Sequence, residues 1–395
     1  MNILAAFDKF KDSMSAAEAC KSAAIGIVAA YPDQPTSVTL TPLTDGGEGF
    51  VDILTQVANG HIEFHTVSGP RSEEVSAPLG WVESENLPTE VKSMLPIPGD
   101  RIAIIEMAAV SGLEMVPFEA RHPRHCTSYG VGELIRIAQA QGASAILMGI
   151  GGSATSDLGV GALEALGLHA CANNGQPIEK ITPEQWPFFK NFTSQLLQSI
   201  PPIYIACDVG NPLLGTEGAA AIYGPQKGLL AEEIDAYDQM CGQMADHLCD
   251  FFQHPRSVQT LAGSGAAGGI GFGLHLGCQA QLVPGFSLVA AWLELDARIQ
   301  QADLILTGEG KFDQSSLDGK GPYALIQSAD KHGKQALLFA GKIDPDAADK
   351  VQLRHTNCAL YSISPDGDPL EKALFEAPGN LQHKVTEMIQ HCYPI

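Results

Sequence analysis

Ala145-Ile146-Leu147-Met148-Gly149-Ile150-Gly151-Gly152-Ser153-Ala154-Thr155-Ser156-Asp157-Leu158-Gly159 passes from an apolar run into a glycine-rich turn, and residues 160–166 follow as a small-residue helix. A buried strand entering a helix through glycines is the repeating unit of an α/β fold. Glycines let backbone N–H groups approach a ligand, and the helix start adds donors and the positive end of its dipole. The turn therefore suits a phosphate, with Asp157 placed to hold the metal that accompanies a nucleotide. The competing reading is a tight turn whose Ser and Thr only cap the helix.

The same alternation runs along the chain. Residues 3–7 read as a strand and 16–30 as a helix, then come strand 37–41, helix 48–57 and a second unit from about residue 61. Residues 67–82 alternate like antiparallel strands. Segments 102–107, 145–150 and 203–207 are apolar strand candidates, and 302–307 and 335–340 return to the opening pattern. This predicts α/β architecture, two domains with largely parallel sheets flanked by helices. Residues 83–101, with three prolines, read as an exposed connection, and 173–202 as an irregular excursion with short helices. Functional turns at strand C-termini predict ligand binding in the interdomain cleft.

Composition narrows the function classes. The 395 residues carry 45 acidic against 23 basic side chains, a net charge of −22, which repels nucleic acid and anionic lipid. Any anion site on such a chain must be locally basic or metal-bridged. No apolar run reaches the roughly 18 residues of a membrane span. The charged start Met1-Asn2-Ile3-Leu4-Ala5-Ala6-Phe7-Asp8-Lys9 reads as a first strand rather than a secretory signal. Nine cysteines without a Cys-x-x-Cys pair argue against a disulfide framework or a zinc site, and for a reducing cytoplasm.

Several turns at strand ends carry candidate chemistry. In Asp8-Lys9-Phe10-Lys11-Asp12-Ser13 a lysine can neutralise phosphate or carboxylate charge and Asp8 can orient a hydroxyl or metal, while Ser15 and Glu18 form a capping box. Asp45-Gly46-Gly47-Glu48-Gly49 also fits a capping box, but three glycines in four positions suggest close approach of a ligand to Asp45. In Thr307-Gly308-Glu309-Gly310-Lys311-Phe312-Asp313, charges alternate with glycines where the chain should leave the sheet. Gly263-Ser264-Gly265-Ala266-Ala267-Gly268 matches G-x-G-x-x-G without the strand or the later acid of a dinucleotide fingerprint, leaving a packing or phosphate-lining loop. Asp208 follows a strand as a site for metal or hydroxyl, beside Cys207, which reads as inert packing. His122 and His125 lack further spaced ligands. Arg121 offers a planar fork for a carboxylate.

Together these turns resemble the type 1 glycerate kinase family over nearly the whole chain. The carrying segments are Asp8-Lys9-Phe10-Lys11, Asp45-Gly46-Gly47-Glu48-Gly49, Glu106-Met107-Ala108-Ala109 and Thr127-Ser128-Tyr129-Gly130-Val131-Gly132-Glu133-Leu134. Residues 149–157, Gly224-Pro225-Gln226-Lys227-Gly228, Gly265-Ala266-Ala267-Gly268-Gly269 and 307–313 with Gly319-Lys320 complete the set. The resemblance implies a discontinuous first domain, 1–64 with 290–395, around a central domain, 65–289. It implies a kinase using ATP and Mg2+ on D-glycerate to give 2-phosphoglycerate, a monomer or homodimer with no nucleic-acid or membrane partner. Asp8, Lys11, Asp45, Asp157, Asp208 and Asp313 would then be catalytic, with Asp45 or Asp313 taking the hydroxyl proton. Gly151, Gly152, Ser153, Thr155, Gly268 and Lys311 would bind phosphates, Arg121, Ser128 and Glu309 the substrate, and Asp157, Asp208 or Glu309 the magnesium. Departures such as Lys9 for serine and Lys311 for arginine leave the reaction class intact. The alternatives are a related hydroxy acid or the 3-phosphate product, a non-catalytic sensor of a sugar acid or nucleotide, and an NAD-dependent dehydrogenase resting on residues 263–268.

Overall fold

The computed structural model describes residues 1–32, 35–194, 196–319, 321–365 and 367–392. Two compact units emerge: Met1–Thr44 with the chain from Val289 onward, and Asp45–Leu288.

The first unit holds a five-stranded parallel sheet. Its order is Cys358–Ser362, Gln335–Ile343, Leu304–Phe312, Asn2–Phe7, Ser37–Leu40. Residues 3–7 are buried without interruption, as a strand covered on both faces requires. Ile3, Ala5, Phe7, Leu306 and Phe339 form one core with the helices Ala16–Ala30 and Leu370–Cys392. The first of these begins at the expected capping box: Ser15 Oγ accepts from Glu18 N at 3.3 Å while Glu18 Oε2 accepts from Ser15 N at 2.8 Å.

In the second unit the sheet order is Gln281–Val283, Ile203–Ala206, Ala145–Gly149, Arg101–Glu106, Glu74–Glu83, His61–Ser68. The first four strands are parallel and the last two join antiparallel. The excursion expected at 173–202 contributes to a small antiparallel sheet of Pro177–Ile178, His169–Ala172 and Phe189–Thr193. Trp81, Tyr237 and Phe272 are among the large side chains of this unit's core.

Four expectations change. Residues 45–64, expected with the first domain, belong to the second unit, because helix Phe50–Val57 packs on Glu74–Glu83 and Arg101–Glu106 and His61–Ser68 pairs with Glu74–Glu83. That helix has Gly49, with φ +86 and no side-chain cap, at its N-cap position, where Asp45 was expected. The chain does not leave the sheet at 307–313: Leu304–Phe312 keeps its register with Gln335–Ile343 as far as Phe312. Gly308 permits this, since a Cβ there would stand 1.9 Å from Phe339 O. Residues 83–101 are not simply exposed; they include helix Thr89–Met94, and Leu87, Val91 and Leu95 are buried.

Helix Ala16–Ala30 meets Leu370–Cys392 through Gly26, where a Cβ would lie 2.6 Å from Gln382 O and 2.9 Å from Val385 Cβ. Gly26→Ala should therefore destabilise the protein by about 1–3 kcal/mol despite alanine's better helix propensity. Urea unfolding measures this, and a stabilised variant would show that the two helices part easily.

Candidate functional site

Loops after parallel strands gather at their C-terminal edge, where open α/β sheets bind ligands. In the first unit this edge encloses a cavity of about 750 Å³. Asp8, Lys9 and Lys11 reach it from the loop after Asn2–Phe7, Glu309 and Lys311 from Leu304–Phe312, and Lys342 from Gln335–Ile343. Gly310 brings strand and loop together, since a Cβ there would lie 3.0 Å from Lys11 N. Four lysines share this cavity with the carboxylates of Asp8, Asp12, Glu309 and Asp368, so on a chain of net charge −22 it gathers cations without being acidic overall.

Asp313 stands beside this cavity without lining it. Its carboxylate pairs with Lys311 Nζ at 2.6 Å and accepts from Ser315 N at 3.0 Å and Ser315 Oγ at 2.7 Å. The hydrogen bond from Lys311, helped by those from Ser315, holds its carboxyl down to about 2. A group so acidic is a weak proton acceptor near neutral pH, which counts against Asp313 as the base. Lys320 lies outside the described residues.

A second cluster sits at the strand ends of the second unit. Gly149 pairs with Glu106 on one side and Ala206 on the other. The 45–47 loop crosses this point: Gly151 N donates to Gly46 O at 2.9 Å, and a Cβ on Gly149 would lie 2.5 Å from Gly46 O. These glycines thus serve the approach of one backbone to another, and the Gly151 amide is not available to a phosphate. Asp208 accepts from Phe286 N at 2.8 Å. Asp45 and Asp208 are neighbours, since a Cβ on Gly285 would meet Asp208 Oδ2 at 3.0 Å and Asp45 O at 3.3 Å. Glu106, buried at its strand end, accepts from Val51 N at 3.1 Å at the start of helix Phe50–Val57. Burial raises its carboxyl to about 7, with Asp52 and Glu48 adding to the rise.

Asp157 differs most from expectation. It has no solvent exposure and accepts from Ser128 N at 2.7 Å, Ser128 Oγ at 2.8 Å, and the N–H groups of Gly159 and Gly161 at 3.2 Å each. Ser128 Oγ in turn accepts from Ala162 N at 3.0 Å. The anion at the start of helix Val160–Ala165 is thus the protein's own carboxylate, so Asp157 holds the turn rather than a metal, and buried Ser128 serves Asp157 rather than substrate. Among the described residues no group of three or more His, Cys, Asp or Glu could hold a metal ion. Gly268 is explained by packing: its carbonyl accepts from Leu158 N, and a Cβ would meet Thr155 O at 2.1 Å. The other flank of the turn is tied by Lys227, a fully buried lysine whose Nζ donates to Ser153 Oγ at 3.0 Å and Thr155 O at 2.6 Å. Burial pulls its ammonium down to about 8. Gly152, at φ +70, and buried Thr155 complete the same turn.

Arg121 is engaged locally, its Nε donating to Val116 O at 3.1 Å and its Nη2 3.5 Å from Glu114. His122 and His125 face Glu233 and Glu184 separately. Lys227 and Glu106 had no role in the sequence reading, although both stand in segments singled out there. For Lys227 the available signal was its place in the Gly224-Pro225-Gln226-Lys227-Gly228 segment.

Residues 3–393 match the model of the glycerate kinase family. Over 381 residues the chain is 36% identical to the glycerate kinase of Bacillus subtilis strain 168, covering 95% of this chain and 94% of that one. Over 387 residues it is 35% identical to the glycerate 2-kinase of Escherichia coli K12, with 96% and 95% covered. A solved structure named for glycerate kinase 2, from Salmonella typhimurium LT2, is similar at a TM-score of 0.73 and 33% identity, covering 99% of this chain and 98% of that one.

Between the ordinary 4.5 and about 7, Glu106 keeps its proton in the folded chain while the unfolded chain has released it. Its contribution to stability is full below 4.5 and is lost as pH rises through about 7. Glu106→Gln never ionises and keeps an oxygen for Val51 N. The variant should match the native protein below pH 4.5 and exceed it by on the order of 3 kcal/mol above pH 7. Denaturant unfolding across that range tests this, and a difference independent of pH would sink the idea.

Proposed function

This chain belongs to the glycerate kinase family, and from that membership we propose that it transfers the terminal phosphoryl group of ATP to D-glycerate, giving 2-phospho-D-glycerate and ADP. The observation that carries the reading is the family match across residues 3–393; similarity to a glycerate 2-kinase favours the 2-hydroxyl. Phosphoryl transfer needs positioning and charge neutralisation rather than covalent help from the protein. The first unit's cavity supports the second of these with four lysines, set among carboxylates that a metal ion would have to offset.

Within this reading Lys11 and Lys311 offset phosphate charge and Asp8 orients the reacting groups. Asp313 is held too acidic to act as base, so Asp45 takes the proton of the attacking hydroxyl, with Asp208 beside it to bind glycerate oxygens. Magnesium in nucleotide sites uses one or two carboxylates and completes its shell with phosphate oxygens and water. Asp8 and Glu309, both half-buried at the lysine cavity, fit that demand; the ion would supply further neutralisation of phosphate charge. The scattered free cysteines favour a reducing cytoplasm.

Phosphorus NMR of the products from D-glycerate, ATP and magnesium tests the reaction. A 2-phosphoglycerate resonance is expected; 3-phosphoglycerate would overturn the regiochemistry, and no product would overturn the substrate. Asp45→Asn should lower kcat by about 100-fold or more without changing the circular dichroism spectrum. Unchanged kcat would remove Asp45 from the chemistry.

A further inference from the structure

Lys227 lies too deep to meet a substrate, being 2% exposed, yet it is a lysine. Burying an ammonium costs free energy, and methionine would fill the same space without that cost. What lysine adds is a set of donors at the end of a long stem. Two of them go to alternate residues of one short segment, Ser153 Oγ and Thr155 O. The opposite side of that segment lies along residues 111–113: Leu113 N donates to Gly152 O at 2.8 Å and Ala154 N to Ser111 O at 2.9 Å. The turn is thus gripped from two sides.

The lysine's own footing does not depend on the turn. It ends the single helical turn Pro225–Lys227, whose main chain is fixed by Lys227 N and Leu229 N, both donating to Gly224 O at 3.0 Å. The flanking glycines lie against other main chain. A Cβ on Gly224 would stand 2.2 Å from Ala220 O, and one on Gly228, at φ +90, 2.0 Å from Arg121 O. Lys227 is therefore a post set in one part of the second unit that registers another part.

The turn passes its position on to the loop that carries Asp45. Besides the bond from Gly151 N to Gly46 O, a Cβ on Gly151 would lie 2.7 Å from Gly47 Cα and 2.9 Å from Gly47 N. This contact is main chain on main chain. No side chain stands between to absorb a shift by changing rotamer, so a displacement at 151 is transmitted to 46 and 47. We propose that Lys227 is a positioning residue: through the 151–155 turn it sets where the Asp45 carboxylate stands against the attacking hydroxyl. The assignment rests on the reading of Asp45 as the base.

Lys227→Met keeps the volume and removes the donors. It should lower kcat by about tenfold or more while leaving KM for ATP and D-glycerate within about twofold, as misplacement of a reacting group does. In an Asp45→Asn background the same substitution should change kcat by less than about twofold, because no base is left to misplace. Equal losses in both backgrounds would mark a merely structural lysine and overturn the proposal, as would an unchanged kcat. Should Lys227→Met fail to fold, Ser153→Ala, which removes one acceptor and leaves the bond to Thr155 O, decides the question. A smaller loss with the same dependence on Asp45 is expected, and a loss independent of Asp45 overturns the proposal. Hydrogen exchange gives a readout free of turnover. Lys227→Met, or Ser153→Ala in its place, should speed exchange over residues 44–50 and 150–156 but not over Glu74–Glu83, and unchanged exchange at 44–50 would overturn the coupling. Equal losses in a chain that phosphorylates D-glycerate would leave the reaction standing. Faster exchange at 44–50 in a chain that makes no phosphoglycerate would overturn the reaction and leave the hold of Lys227 on this loop standing.

Discussion

Asp157 sits where water does not reach; burial raises its carboxyl above the usual carboxylate range, and the donors of the turn around it pull the other way. Ser128 meets it with both main-chain N–H and hydroxyl, and Gly159 and Gly161 add two further donors. Ser128 sits at the start of helix Tyr129–Ala140 and, through Ala162, also holds helix Val160–Ala165. One carboxylate thereby ties the starts of two helices together. Lys227 grips the other flank, and the two opposite charges in one low-dielectric region favour each other. Taking away one member of such a buried set costs about 3–5 kcal/mol, since the charge left behind keeps its desolvation penalty. The position of the Asp45 loop depends on this turn, because Gly46 is bonded to Gly151.

Period and polarity made the strands at 3–7, 145–150 and 203–207 legible, and the capping residues at 15 and 18 fixed a helix start. Glycines were legible as close approaches but not as to what approaches. Gly149, Gly151 and Gly268 lack a Cβ because another stretch of main chain lies there, and a phosphate would demand the same absence. Asp157 shows the same ambiguity at a helix start, where an internal carboxylate and a ligand satisfy the same donors. The lysines of the first unit were partly legible: Lys11 and Lys311 stand in conspicuously charged, glycine- or aspartate-flanked segments, whereas Lys342 joins them only through strand pairing, opposite Lys311. Lys227 stands in a glycine-bounded segment that the sequence singles out, but nothing in that segment tells that the lysine is buried.

The charge distribution has a kinetic side. A net charge of −22 opposes the approach of an anion from afar, while the lysines act over roughly the Debye length of 8–10 Å at ordinary ionic strength. Capture of a polyphosphate is thus governed by short-range fields in a walled space. Added salt screens the long-range repulsion as well as the local attraction, so the two effects oppose each other in the association rate.

Ser13 is bonded to the carbonyl of Leu374, 361 positions later, and strand Asn2–Phe7 lies between Leu304–Phe312 and Ser37–Leu40. During synthesis the first strand emerges with only Ser37–Leu40 to pair with, and waits for the whole second unit to be made before its other neighbour exists. At about 5–20 residues per second that interval is tens of seconds, during which the second unit has a continuous chain of its own to fold. The cavity can therefore close only after the second unit has been made and helix Leu370–Cys392 has docked, and a ribosome that stops short of that helix releases a chain with half a cavity.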